Sequence, residues 1–404
     1  MNLDDLAFLT SPRGEALLDR VRSADLGIEA LLPLLESLRA AFTPAEKAAA
    51  IELTRMRRAA VEKFGADSAR LYFSSDALEQ ASHPGARQWR VESAAALTPA
   101  RILDVCCGIG ADSLAFATLT DTQVTGIDLD PARVAIARLN ADVLHSPVQF
   151  AVGDARRLDP AAIADADLIF FDPARRDARG RSHHVEQGDP PLSTIRAWGE
   201  KRIWAKLSPG VQIDQIAPYL DMGAGLDFIA VDGALKEALL RLHDDSAVSR
   251  RAVMWIDDTL HTLVTDPSAL APIGEIRAWL CEPDPAIIRA GAVGQVAIAA
   301  QGSQIDRQIA YFMTDSPPDV PYVRAWRVRE WLPFNLKKLR ALLRSRGIVR
   351  VTVKKRGSAV TPETLIAQLK LPGGKGESCT LVLTRWRDRP IVIVCDEMPI
   401  GSSG

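Results

Sequence analysis

The chain has 404 residues, 47% of them hydrophobic and 25% charged, with a net charge of −2; it is too long for one ordinary core and too apolar for a disordered or fibrous class, so two or three globular domains are expected. No apolar run approaches the roughly 18 residues of a membrane-spanning helix, and the acidic start Met1-Asn2-Leu3-Asp4-Asp5 lacks the positive end of a secretory signal. Five cysteines without a C-x-x-C spacing indicate neither a disulfide framework nor a zinc site, so the expectation is a cytoplasmic protein with no membrane contact, no metal and no obligate protein partner.

The small net charge conceals an asymmetry. Between Pro321 and Pro390 stand 17 Lys/Arg against 4 Asp/Glu, a local net of +13, and the rest of the chain carries −15. Basic charge gathered into one segment is what a polyanion-binding surface requires, because each phosphate it neutralises releases counterions. A solvated arginine-rich domain is the plainer alternative.

In chain order, residues 1–92 read as a helical domain, with long Ala/Leu/Glu/Arg runs and few β-branched residues. Thr43-Pro44-Ala45-Glu46 is a helix start: a threonine cap, proline at the first helical position, and glutamate three residues after the cap. Between Asp67 and Gly85 the chain becomes irregular. From 93 to 258 short apolar strands alternate with helical stretches, the pattern of a parallel sheet. The strands are expected at 101–105, 123–127, 148–151, 168–171, 202–207 and 226–231. Two further runs, 237–242 and 251–256, around the polar turn Asp244-Asp245-Ser246, predict an antiparallel hairpin closing the sheet. An α+β region follows at 259–400, its basic part at about 320–397. It should hold a helix at 335–346 capped by Asn335 and ended by Gly347, a strand at 349–354, a helix opened by Thr361-Pro362-Glu363, and a hairpin of 380–384 with 391–395.

Four pieces of chemistry sit at successive strand ends. The first is Asp104-Val105-Cys106-Cys107-Gly108-Ile109-Gly110, a strand running into two glycines and a helix, where a cofactor can lie against bare backbone. Gly-x-Gly is a weak signal alone and is shared with dinucleotide-binding proteins, but Ser113 stands where their third glycine would be. The second is Asp128-Leu129-Asp130-Pro131, with Asp128 ending a strand 20 residues after Gly108, where a carboxylate can accept from ribose hydroxyls. The third, Gly153-Asp154-Ala155, places an acid for an adenine amino group. Nicotinamide-dinucleotide proteins have no such regular element, so the balance moves to S-adenosylmethionine. The fourth is Phe171-Asp172-Pro173-Ala174-Arg175-Arg176, a carboxylate at the edge of the sheet where α/β enzymes place their chemistry. Each acid alone would read as a cap or turn residue. Four in order do not.

This order resembles the motifs of class I methyltransferases. The resemblance implies that Gly108 and Gly110 pass under the cofactor, that Asp104 supports its amino-acid end, that Asp128 binds ribose and that Asp154 faces adenine, with Cys106, Leu129 and Ala155 flanking them. More of the chain resembles a bacterial family of methyltransferases with a helical N-terminal part and a THUMP-like C-terminal domain. The carriers are Ala77-Leu78-Glu79-Gln80-Ala81-Ser82, Lys206-Leu207-Ser208-Pro209-Gly210, Cys281-Glu282-Pro283-Asp284-Pro285, Val353-Lys354-Lys355-Arg356-Gly357 and Leu371-Pro372-Gly373-Gly374. The implied fold class is α/β: a Rossmann-like seven-stranded sheet with a reversed final strand, a helical N-terminal part and a smaller α+β C-terminal domain. THUMP domains accompany RNA-modifying enzymes, so the resemblance points to tRNA or rRNA as partner.

The acceptor atom is narrowed by what Asp172-Pro173-Ala174-Arg175 lacks. Exocyclic-amine methylation ordinarily uses a second proline and an aromatic there. Asp-Pro-Ala-Arg resembles uracil-C5 methyltransferases, but those need a cysteine nucleophile near the next strand's end, and none lies between Cys107 and Cys281. Ribose 2′-O transfer calls for a lysine oriented by carboxylates. Asp172, Lys206 and Glu237 fall at three strand positions that suit such a set, whose first lysine is missing, with only Arg87 or Arg90 nearby. Base nitrogen and ribose oxygen both stay open. So do a small-molecule methyltransferase and an inactive RNA-binding protein.

On the 335–346 helix, Lys337, Arg340 and Arg344 share a face opposite the leucines. With Lys354, Lys355 and Arg356 on the next strand, and Arg175 and Arg176 beside the candidate catalytic acid, they form the candidate RNA-binding set. Trp326, Trp331 and Trp386 read as core residues. His183-His184 reads as part of a polar substrate-side loop rather than a metal site.

Overall fold

The computed structural model describes residues 1–174, 176–177, 180–181, 184–244 and 249–399, with the backbone alone described at 176–177 and 180–181. Arg175, His183, the Arg176 side chain and the expected turn residues Asp245 and Ser246 lie outside the described residues. The described residues divide into two compact units, one of 1–224 with 238–244 and one of 225–237 with 249–399.

The first unit opens with helices α1 (Leu3–Leu9), α2 (Pro12–Arg22), α3 (Ile28–Ser37) and α4 (Pro44–Ala59). The expected start of α4 is a closed capping box: Thr43 Oγ1 accepts from the Glu46 amide at 3.2 Å, and the Glu46 carboxylate accepts from the Thr43 amide at 2.7 Å. Helices α5 (Val61–Phe64), α6 (Ser75–Gln80) and α7 (Pro84–Ala95) lead to the sheet. The core of the helical part extends into the sheet layer. Leu9, Leu17, Leu53 and Phe73 pack in one buried cluster with Ile109 and Ile136, which belong to the sheet layer's own helices and turns, so the two expected N-terminal domains form one unit.

The strands are β1 (Arg101–Val105), β2 (Gln123–Asp128), β3 (Gln149–Val152), β4 (Leu168–Phe171) and β5 (Ile203–Leu207), parallel in the order β5-β4-β1-β2-β3. Between them lie α8 (Ala111–Phe116), α9 (Pro131–Val143) and α10 (Pro160–Asp165), with α11 (Ile213–Leu220) after β5. Burial on both faces explains the continuous apolar run of β4: all four of its residues are buried, as are all five of β5, Lys206 among them. The register stacks the ends of these strands on one edge: Val105 lies opposite Ile127 and Phe171, Asp128 opposite Val152, and Phe171 opposite Ala205. Asp104, Asp128, Asp172 and Lys206 therefore share one rim.

The expected hairpin of 237–242 with 251–256 is not formed. Residues 238–242 of the strand Ala234–Leu242 run antiparallel to β5, pairing Leu207 with Ala238 and Ile203 with Leu242, which supplies the reversed strand. In the second unit, Arg250–Ile256 pairs in parallel with Gly225–Val231 and antiparallel with Thr259–Val264. The turn of that hairpin is Asp257-Asp258, both at positive φ (49° and 58°). This is the turn whose twist matches paired strands, so the tight hairpin turn is Asp257-Asp258.

The second unit also carries a seven-stranded sheet. Its members are Ser303–Gln304, Phe312–Thr314, Trp279–Pro283, Val323–Pro333, Arg389–Cys395, Glu377–Trp386 and Ile348–Lys355, in that order. Helices Leu336–Ser345 and Pro362–Leu369 bury Leu339, Leu343, Leu365 and Leu369 against Cys379, Leu381 and Val392. Asn335 caps the first of these, its side chain accepting from the Lys338 amide at 3.0 Å, and Thr361 caps the second. Ile348–Lys355 ends the sheet and pairs on one side only, with Glu377–Trp386. Among the described residues no helix is long and apolar enough to cross a membrane.

Candidate active site

The glycine turn after β1 is built by hydrogen bonds from β2. The Cys106 and Cys107 amides donate to the Ile127 carbonyl at 2.7 and 3.0 Å, and the Gly108 amide donates to Asp128 Oδ2 at 2.9 Å. Asp128 Oδ1 accepts from the Asp130 amide at 2.9 Å. Both carboxylate oxygens thus fix backbone, and each retains a second lone pair for a ribose hydroxyl. Cys106 sits at φ +66°, and burial first, then the neighbouring Asp128 and Asp172 charges, push its thiol well up, which disfavours the thiolate.

The two glycines have different reasons. A Cβ on Gly108 would meet nothing within 4 Å, which leaves bare backbone facing open space. A Cβ on Gly110 would come within 2.7 Å of the Phe150 ring, and its φ is +83°. Gly110 is therefore required by the packing of the turn on β3 whatever else it does.

Asp104 is fully buried. Its Oδ2 accepts from Ser113 Oγ, while its Oδ1 has no hydrogen-bond partner among the described residues. Burial, then the nearby Asp112 charge, lifts its carboxyl well above the usual range. An orphaned buried acceptor beside a bare-glycine turn fits a cationic group such as the ammonium of an amino-acid moiety. Leu129, after Asp128, is 57% exposed, an apolar face suited to a flat ring. Asp154 caps the short turn Ala155–Arg157, its Oδ1 accepting from the Arg156 amide at 2.9 Å, and Ala155 is buried behind it.

At the end of β4, Asp172 Oδ2 accepts from Lys206 Nζ at 2.7 Å. The two differ in access: the Asp172 side chain is 22% exposed and that of Lys206 only 3%. Lys206 also donates to the Gln80 carbonyl at 3.3 Å, so the lysine stands behind the acid and holds it. Pro173 is buried and stiffens the turn that follows. Glu237 is buried too and falls in the second unit.

Sequence reading missed the helical part's contribution to this rim. Ser82 Oγ donates to Asp112 Oδ2 at 2.9 Å, and Arg90, with no exposure, donates Nε to Asp112 Oδ1 at 3.0 Å and lies 5.0 Å from the Phe170 ring centre. Burial pushes the Asp112 carboxyl up, but Arg90 and then Lys206 outweigh it and hold it below the usual range. Lys63 closes the same segment from the other side, donating to the carbonyls of Leu78, Glu79 and Ala81 at 2.8, 2.9 and 2.8 Å. Four consecutive carbonyls, 78 to 81, are thus held by two lysines. The only signal in the sequence was the Ala77–Ser82 block itself.

In the second unit, Lys337, Arg344 and Lys355 are exposed. Arg340 donates to the Gln368 carbonyl. Lys354 and Arg356 are committed elsewhere: both pair with the mostly buried Glu282, Lys354 lies 4.3 Å from the Trp326 ring centre and Arg356 5.5 Å from that of Tyr311. Burial pushes the Glu282 carboxyl up, and the two cations outweigh it and hold it low. Trp326 is core, as expected, whereas Trp331 is 38% exposed and packs edge-on against Trp386 at 5.2 Å.

Parts of the chain match known protein families. Residues 102–177 match a methyltransferase domain family, residues 323–397 a THUMP domain-like family, and residues 2–60 a domain family of unknown function. A Mycobacterium tuberculosis protein named as an S-adenosylmethionine-dependent methyltransferase is 28% identical over 344 residues, 83% of this chain and 92% of its own length. A ubiquinone biosynthesis O-methyltransferase of Bordetella parapertussis is 33% identical over 142 residues, 35% of this chain and 54% of its own. The fold is that of a Porphyromonas gingivalis protein named as a methyltransferase, with a TM-score of 0.71 and 17% identity over 97% of this chain and 96% of that one.

Proposed function

We propose that this chain, a class I S-adenosylmethionine-dependent methyltransferase with a THUMP-like C-terminal domain, transfers the methyl group to RNA. The observation that carries the reading is the coincidence of the THUMP-like match, 323–397, with the segment where basic residues outnumber acidic ones 17 to 4. When bound, the cofactor supplies an electrophilic methyl group on sulfur. Asp128 would take its ribose, Leu129 and Asp154 its adenine, and Asp104 Oδ1 its ammonium. Asp172 is the accessible acid of the rim. With Oδ2 fixed by Lys206, its Oδ1 accepts from the donor-bearing acceptor, a base amine or a ribose hydroxyl, and aims that atom's lone pair at the methyl carbon. The acceptor's proton would leave to the Asp172 carboxylate, which Lys206 holds in place. Lys206 is a positioning residue in this scheme.

The raised Asp104 carboxyl makes a prediction about protons. Burial raises the Asp104 carboxyl and a bound ammonium would lower it, so cofactor binding should be accompanied by proton release across the pH range in which the free carboxyl titrates. Calorimetry in buffers of different ionisation enthalpy reads this directly. In Asp104→Asn the buffer dependence should vanish and affinity should fall; an unchanged buffer dependence would place the cofactor's ammonium elsewhere.

RNA binding is tested by its salt dependence. Replacing exposed Lys337, Arg344 and Lys355 together by Gln should lower the slope of log affinity against log salt by up to about three units. Identical slopes for the variant and the parent protein would mean that RNA, if bound, lies off this face.

A further inference from the structure

The block Cys281-Glu282-Pro283-Asp284-Pro285 plays no part in the reaction scheme, yet it walls a pocket. Within the second unit a cavity of about 230 Å³ is lined by Gly233, Glu282, Pro283, Asp284, Pro285, Tyr322, Arg324 and Arg356. Register explains the assembly. Glu282 and Pro283 close the strand Trp279–Pro283 and pair with Arg324 and Val323, and the Asp284 amide donates to the Tyr322 carbonyl at 2.9 Å. Tyr322 meets His261 edge-on at 6.1 Å, which fixes the ring.

The lining mixes signs in a way that excludes simple ligands. Glu282 is satisfied by Lys354 and Arg356 and acts as a clamp on the Arg356 guanidinium, which it takes through Nε and Nη2 at 3.2 and 3.0 Å. Asp284 spends Oδ1 on the Ala286 amide at 2.8 Å, which leaves Oδ2 as an acceptor. Asp284 is buried, and that burial lifts its carboxyl to about 6. Two carboxylates repel a bare phosphate, and two guanidiniums repel a metal cation. A neutral ligand that offers donors and acceptors side by side suits both. Prolines and a tyrosine ring add flat apolar walls. The volume is below the roughly 300–1,000 Å³ of pockets that hold drug-sized molecules, enough for one ring system and too small for a dinucleotide.

We propose that the Asp284–Arg324–Arg356 pocket takes a single unpaired base of RNA, guanine or cytosine, through its polar edge. Both bases carry an exocyclic amino group and a carbonyl on the two sides of one ring nitrogen, so a carboxylate accepts from the amine while a guanidinium donates to the carbonyl oxygen. A guanidinium has five N–H donors, of which Glu282 takes two from Arg356. The proposal rests on the RNA reading above and extends it: the basic face holds phosphate without regard to sequence, and this pocket selects a nucleotide.

The test uses the full-length protein saturated with S-adenosylhomocysteine, so that adenosine cannot report on the cofactor site. Guanosine, cytidine, adenosine and uridine are titrated separately by ligand-observed NMR, with inorganic phosphate as competitor. Saturable binding of guanosine or cytidine is expected, with adenosine and uridine weaker. Arg324→Met should weaken it roughly 5- to 150-fold, the equivalent of about 1–3 kcal/mol for one bidentate pair. Asp284→Asn, which keeps shape and the cap to Ala286, should act in the same direction and serves if Arg324→Met does not fold. Three results would overturn the proposal: no saturable nucleoside binding, binding indifferent to both substitutions, or binding displaced by phosphate. Because no RNA is used, failure here with salt-dependent RNA binding intact removes the pocket alone. Nucleoside binding without any RNA binding would instead remove the RNA reading.

Discussion

Asp172→Ala is expected to lower turnover by roughly 10²- to 10⁴-fold, the usual range for a positioned proton acceptor, while cofactor affinity is retained. The expectation follows from position and access. Asp172 ends β4, beside β1, whose glycine turn is the candidate cofactor seat, and it is the exposed member of a pair whose lysine is buried. Its contacts with the acceptor strengthen as the methyl group moves, so kcat should fall more than RNA affinity. Lys206→Met leaves the carboxylate in place but free to rotate. Its loss should be smaller than that of Asp172→Ala, and the double variant should be no worse than Asp172→Ala alone, because a positioning residue has nothing to position once the acid is gone. Additive losses would show that Lys206 touches the reacting atoms itself. Cofactor titration of each variant separates a catalytic defect from a collapsed site.

Arg90→Met should produce the largest stability loss among the rim residues. Arg90 is fully buried and is the principal partner of Asp112. Removing one member of a buried ion pair strands the other, at about 3–5 kcal/mol. For a unit of this size each kcal/mol moves the melting temperature by roughly 2–4 °C, so a fall of order 10 °C is expected. The pH dependence has a definite sign. Asp112 titrates below the ordinary carboxylate value in the folded protein, so its ionised form contributes stability above the unfolded pKa of about 3.9. That contribution is lost as pH falls through the folded value. In Arg90→Met the carboxyl should instead be pushed up by burial, and the gap between variant and parent should narrow as pH is lowered toward 4. A second substitution, Asp112→Leu, should restore part of the loss by removing the stranded charge. An unaltered melting temperature in Arg90→Met would contradict this account of how the helical part is joined to the rim.

Most of what could be read in the sequence was local. Thr43-Pro44-Ala45-Glu46 and Asn335 announce helix starts by side chains that bond their own next turn, and the strand at 168–171 is a continuous apolar run because both its faces are buried. The rim acids were legible for a similar reason, since parallel strands bring successive C-terminal ends to one edge. Pairings set across the chain were not. The polar run 244–246 resembles a hairpin turn, yet the strands beside it find other partners, and the tight turn falls at Asp257-Asp258, where two aspartates adopt positive φ. The Arg90–Asp112 pair joins residues 22 apart on separate helices, and no periodicity reports it. Charge counts also overstate what a surface offers. Lys354 and Arg356 belong to the basic segment by sequence, but Glu282, more than 70 residues earlier, already holds them.

The central claim is methyl transfer to RNA at the Asp172 rim. The most direct measurement incubates the purified protein with S-adenosylmethionine labelled in its methyl group and total RNA from a strain lacking the protein, then digests the RNA and resolves the labelled nucleosides by mass spectrometry. The account predicts one labelled nucleoside, methylated on a base nitrogen or on the ribose 2′ oxygen, absent when Asp172→Ala replaces the parent protein. Label that stays out of RNA while the protein binds cofactor, or label in RNA that Asp172→Ala leaves undiminished, would contradict it.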